Sequence, residues 1–170
     1  MKLEGTPMTT EQLIAEGAIY FSQLKTGLSQ YRHKTVVMDG EQAYRFFLEK
    51  QQQEYPKKAY ADFYYFSLPP EARQKAGSVL GKEELLYLEG LGEGIGGQKG
   101  QQLFQKGSLM APEAGKGEII FPLEEKLLRA VTKLNQAEML FSTIYFTGEK
   151  GRRSTWWGNY GREYLVFWEG

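Results

Sequence analysis

The chain has 170 residues, with 21 basic and 21 acidic side chains, one histidine and no cysteine. A chain of this length buries about 70% of its unfolded surface, so one domain needs no disulfide or metal staple. The missing cysteines exclude disulfides, thiolate zinc sites and cysteine nucleophiles, and the neutral balance argues against a nucleic-acid binder, whose affinity comes largely from phosphate contacts.

The first residues, MKLEGTPMTTEQ, carry no apolar signal-type core. No apolar run approaches the roughly 20 residues needed to span a bilayer. A cytoplasmic location is therefore the expectation.

Residues 1–8 read as a flexible tail before a single α+β domain over 9–170. Thr9 and Gln12 are spaced as a capping box. Leu13, Gly17, Phe21, Leu24, Leu28 and Tyr31 then recur at helical spacing and predict one helix over 10–32. Arg32, His33 and Lys34 follow as cations at a helix C-terminus. Asp39-Gly40 could turn a hairpin, but Asp39 reads better as the N-cap of a second helix, with Gln42 at its third position and Pro56 closing it. Tyr44, Phe47, Leu48, Gln51 and Tyr55 form its stripe. Residues 59–66, AYADFYYF, fit helix or strand equally well. Pro69-Pro70-Glu71 opens a short helix, as proline in a first turn does. Lys82 to Glu89 predicts another.

Residues 90–117 hold nine of the twenty glycines and form an unusually long Gly-rich loop. Gly92 to Gly97 matches G-x-G-x-x-G. That pattern grips pyrophosphate only between a strand and a helix, and here it follows a helical segment. Gly115-Lys116 lacks the remaining residues of a P-loop. Ile119–Phe121 reads as a short strand, and a helix starts at Pro122 with Leu123, Leu127, Val131 and Leu134 buried. Glu125 is placed to pair with Arg129 one turn on.

Three β-rich runs end the chain, 138–147, 152–158 and 162–169, joined by glycine-bearing turns at Gly148–Gly151 and Asn159–Gly161. They predict a three-stranded antiparallel β-meander with 152–158 in the middle. Residues 147 and 152 are expected to face each other across the first turn, and 158 and 162 to flank the second. One face then carries Leu140, Ile144, Phe146, Trp157, Leu165 and Phe167. The other carries Met139, Phe141, Tyr145, Trp156, Tyr164, Val166 and Trp168. Arg152 falls beside Trp168 and Glu169, about 20 Å from Arg162. The Tyr- and Trp-rich face is either core, with helices covering both faces of the sheet, or an interface, whose composition it has.

Few residues offer catalysis. His33 sits between two cations, and one histidine without cysteine cannot build the common zinc sites. The only aspartates are Asp39 and Asp62. Neighbouring glutamates such as Glu83-Glu84 diverge on their helix. No catalytic residue, metal or cofactor is assigned. The run Gly161–Trp168 faintly resembles the aromatic strand of RNA-binding sheets, but Leu165 stands where that motif has glycine or alanine, and the βαββαβ order is missing.

The sequence thus points to a small non-catalytic protein-interaction or ligand-binding protein. Its binding residues would be Phe141, Tyr145, Arg152, Trp156, Tyr164 and Trp168, meeting a protein partner or a second copy through the C-terminal sheet. The alternatives are an enzyme with residues 90–117 as a lid and single-stranded nucleic-acid binding by aromatic stacking.

Overall fold

A computed structural model of the chain describes residues 7–92 and 119–169. Most of the expected tail 1–8, most of the Gly-rich loop 90–117, the G-x-G-x-x-G match beyond Gly92 and Gly115-Lys116 lie outside the described residues. The remainder is α+β, as the sequence predicts, with the expected meander enlarged to a six-stranded sheet. No helix among the described residues is long and apolar enough to cross a membrane.

Thr9 closes a complete capping box with Gln12 and starts α1, Thr10–Ala15. The predicted helix over 10–32 stops there. Gly17 takes a φ of +98°, which an L side chain rarely adopts. Residues 18–23 then run non-helically across the sheet, burying Ala18, Ile19 and Phe21. The chain re-enters helix at α2, Leu24–Gln30, and continues as strand β1, Arg32–Val37. Arg32, His33 and Lys34 are therefore strand residues rather than helix-end cations.

Asp39 caps α3, Gly40–Glu54, through a second full capping box with Gln42. Strand β2, Ala59–Asp62, follows, and all four of its residues are buried. That burial explains the ambiguity of AYADFYYF, because a strand covered on both faces loses its polar alternation. A 3₁₀ turn at Tyr65–Ser67 leads to α4, Pro70–Gly77, with proline in its first turn. Helix α5 occupies residues 82–92. Strand β3, Ile120–Pro122, and helix α6, Glu125–Gln136, come next. The chain ends with β4, Thr143–Phe146, β5, Ser154–Gly158, and β6, Glu163–Trp168.

The sheet order is β1-β6-β5-β4-β2-β3, and every neighbouring pair is antiparallel. The predicted meander forms its centre. Helices α3 and α6 cover one face, where Phe47, Leu127, Leu128, Val131 and Leu134 meet Ile144, Phe146, Trp156 and Tyr164. The N-terminal segment covers the other face. There Met8, Leu13 and Ala18 pack with Tyr60 and Tyr145, and Ile19 and Phe21 pack with Phe167.

The register differs from the expectation in both hairpins. Ile144 pairs with Trp156 and Phe146 with Ser154, a shift of one residue in the first hairpin. The cause is Thr147, whose N–H and hydroxyl both donate to the Lys58 carbonyl, at 2.9 and 2.8 Å. Gly148 then donates to Gly17. The chain leaves the β4–β5 ladder early and the connection lengthens. A one-residue shift exchanges faces, so Ile144 and Phe146 lie on the side of Trp156 while Tyr145 lies opposite. In the second hairpin Trp156 pairs with Val166 and Gly158 with Tyr164. That two-residue shift preserves the face.

Candidate interaction surface

The six expected binding residues are not brought together. Trp156 and Tyr164 are 6% and 1% exposed. Phe47 sits over both, with ring centroids 5.2 Å from each, and Phe46 lies at a tilt with its ring 5.1 Å from Trp156. Burial pushes the Tyr164 hydroxyl well above its ordinary range. Tyr145 is buried on the opposite face. Phe141 packs edge-on against Tyr160, 4.7 Å away, beyond the start of β4. Arg152 is exposed in the β4–β5 connection, where its carbonyl accepts from the Tyr55 hydroxyl at 2.5 Å. Trp168 is half-buried at the rim. Glu169, expected beside Arg152, is instead held by Arg153, which grips both of its carboxylate oxygens at 2.8 and 3.0 Å.

A cleft of about 640 Å³ lies between the start of α3, the end of α6 and the β5–β6 turn. Its polar groups are largely engaged. Asp39 and Gln42 cap α3, and Gln136 accepts from the Gly40 N–H. Beside it, Arg129 lies 3.5 Å over the Tyr44 ring and pairs with Glu41, while Lys133 pairs with Glu84. Glu125 accepts from the Tyr44 hydroxyl at 2.8 Å in place of the expected bond with Arg129. This junction fastens α3 to α6.

Asp62 is the notable buried acid. Its carboxylate accepts the Thr143 N–H at 2.7 Å, which the β2–β4 ladder leaves unmade beyond Ala61 and Ile144. Burial raises its pKa to about 7, against the pull of the Thr143 hydrogen bonds. The Tyr145 hydroxyl is raised by burial first, then by the Asp62 charge and by Tyr20 and Tyr64. Among the described residues no group of three or more His, Cys, Asp or Glu side chains is placed to hold a metal ion.

Strand β1 differs from the other strands. It forms one edge of the sheet, and five of its six residues are exposed. Met38 donates to the Arg162 carbonyl at 3.0 Å, continuing the β1–β6 ladder. Backbone groups alternate along an antiparallel strand. Residues 32, 34 and 36 therefore turn theirs toward β6, and His33, Thr35 and Val37 turn theirs outward. Among the described residues β1 pairs with β6 alone. Side chains alternate as well. Arg32 and Lys34 lie opposite Trp168 and Val166, on the face of α3 and α6, and His33 lies on the other face beside Phe167. At the Arg32 end is a cavity of about 510 Å³, lined by Tyr31, Arg32, Lys150, Trp168 and Glu169 among others.

No protein-family model matches the chain, and neither a curated protein nor a solved structure matches it.

Of the expected residues, Trp168 alone lines this edge cavity. Sequence reasoning missed β1 itself. A signal was present in Thr35-Val36-Val37, a β-branched run just before the Asp39 cap.

Proposed function

We propose that this chain is a non-catalytic interaction protein that receives an extended segment of a partner along the edge of β1 that is unpaired among the described residues. The supporting observation is the row of outward backbone groups at His33, Thr35 and Val37 on an exposed edge strand. An extended segment adding to such an edge gains main-chain hydrogen bonds, and alternate side chains supply specificity. The surface remains the C-terminal sheet, but its working part is the edge, because the Tyr/Trp face lies beneath α3.

Thr35→Pro tests the reading. Proline removes an outward N–H, and proline is tolerated on edge strands where the lost donor faces solvent. The expected outcome is a folded protein that no longer binds extended peptides retained by the parent on a peptide array. Thr35→Val, which keeps the N–H, should bind as the parent does. Equal binding by the parent and Thr35→Pro would remove strand addition as the mechanism.

A further inference from the structure

Resting on that reading, we propose that the incoming segment is acidic at alternate positions, with two carboxylates two residues apart facing Arg32 and Lys34. These two cations lie on one face of β1, opposite Trp168 and Val166. Their spacing along the strand is about 7 Å. Both are exposed, and neither forms an ion pair among the described residues. A strand paired beside β1 places its own side chains on that face, with directly opposite Cβ atoms about 5 Å away, so acidic residues at every second position meet the cations. Lys150 adds positive charge to the cavity at the Arg32 end, where Glu169 is already engaged by Arg153.

The opposite face sets the remaining positions. His33, Thr35 and Val37 lie there, and Val37 is 64% exposed. β-Branched residues suit the matching positions of the partner. The segment is therefore an alternation of acidic and β-branched residues, at least six residues long to span Arg32–Val37.

A second copy of this chain is the poorer occupant. Two antiparallel β1 edges would carry Lys34 and its symmetry mate on one face at opposite or diagonal positions, where like charges repel. Cations on an edge strand discourage indiscriminate pairing. Here they would reject neutral and basic strands while admitting an acidic one. A nucleic-acid strand offers phosphates but no ladder of backbone donors and acceptors for His33, Thr35 and Val37.

The test uses the full chain and fluorescent eight-residue peptides, measured by anisotropy at low salt. The probes are an alternating Glu–Val peptide, its Gln–Val and Lys–Val counterparts, a Glu–Val peptide N-methylated at alternate residues, and a labelled oligonucleotide. The Glu–Val peptide should bind about three- to tenfold more tightly than Gln–Val, as two exposed ion pairs provide. Lys34→Gln should narrow that preference, and N-methylation in one of the two registers should abolish binding. Equal affinity for Glu–Val and Gln–Val, with N-methylation still effective, would overturn the acidic preference and leave strand addition standing. Binding by none of the peptides would overturn both. An oligonucleotide that binds more tightly than Glu–Val and displaces it would overturn the peptide assignment.

Discussion

Gly148 donates its N–H to the Gly17 carbonyl at 3.2 Å, and a Cβ added to Gly17 would stand 2.6 Å from the Gly148 oxygen. This contact between two backbones accounts for two features. It ends the first helix at α1, and it draws the β4–β5 connection toward the N-terminal segment.

Gly17→Ala should therefore destabilise the protein by about 2–3 kcal/mol. A positive φ is strained for any L side chain, and the added methyl meets backbone that cannot rotate away. Chemical denaturation measures the loss. Trp157, stacked 5.3 Å from Phe21 of the N-terminal segment, reports whether that segment loosens first. A loss under 0.5 kcal/mol would show that the contact does not constrain the fold.

The features legible in the sequence were those decided within a few residues. Thr9 with Gln12 and Asp39 with Gln42 are capping boxes whose partners are three residues apart. The α6 stripe of Leu127, Val131 and Leu134 needs nothing beyond helical period, and all three are buried. The strand β1 was hidden because Leu24, Leu28 and Tyr31 keep helical spacing up to its first residue. Only pairing with β6, more than a hundred residues away, decides its state. The register was hidden for a similar reason, since Thr147 bonds to Lys58, 89 residues earlier. Edge status is a property of sheet order, so the candidate surface had no local signature beyond Thr35-Val36-Val37.

Asn135 and Gly158 form a second tight pair. Asn135 is 1% exposed, its Oδ1 has no hydrogen-bond partner among the described residues, and a Cβ on Gly158 would fall 1.9 Å from that oxygen. Gly158→Ala should cost about 2–4 kcal/mol through overpacking. Combining it with Asn135→Ala frees the space, so the double variant should be more stable than Gly158→Ala alone. Additive losses in a double-mutant cycle would show that the two positions do not compete for this space.

The Arg153–Glu169 pair fixes the end of β6 against the β4–β5 connection. Arg153 holds Glu169 in a two-pronged hydrogen bond, with added help from the Gly151 N–H at 3.1 Å. The bond from Arg153 pulls the Glu169 pKa down to about 2, although burial opposes the shift. A depressed carboxylate stabilises the fold above its ordinary range near 4.5 and loses that stabilisation as pH falls toward 2. Glu169→Gln should lower stability at pH 7 by about 1–2 kcal/mol, the value for a partly exposed charge-assisted pair. It should also flatten the fall between pH 4.5 and 2. A variant with the parent's acid profile would assign that fall to other carboxylates.

Asp62 carries the opposite sign. In the folded protein burial holds its pKa near 7, against an ordinary value of 3.8. Among the described residues its polar neighbours include Thr143, Tyr64 and Tyr145, and none of these supplies a positive charge. Between these two pKa values the folded chain keeps a proton that the unfolded chain has released. Stability therefore falls as pH rises from about 4 to 7, by at most about 4 kcal/mol, and the loss levels off above 7. Asp62→Asn keeps an acceptor for the Thr143 N–H and cannot ionise. It should match the parent or fall slightly below it near pH 4, and exceed it at pH 8. Urea denaturation at pH 4, 6 and 8 gives the comparison. If the difference between variant and parent stays constant across that range, Asp62 does not titrate within it, and its carboxylate is held charged by the Thr143 N–H despite its burial.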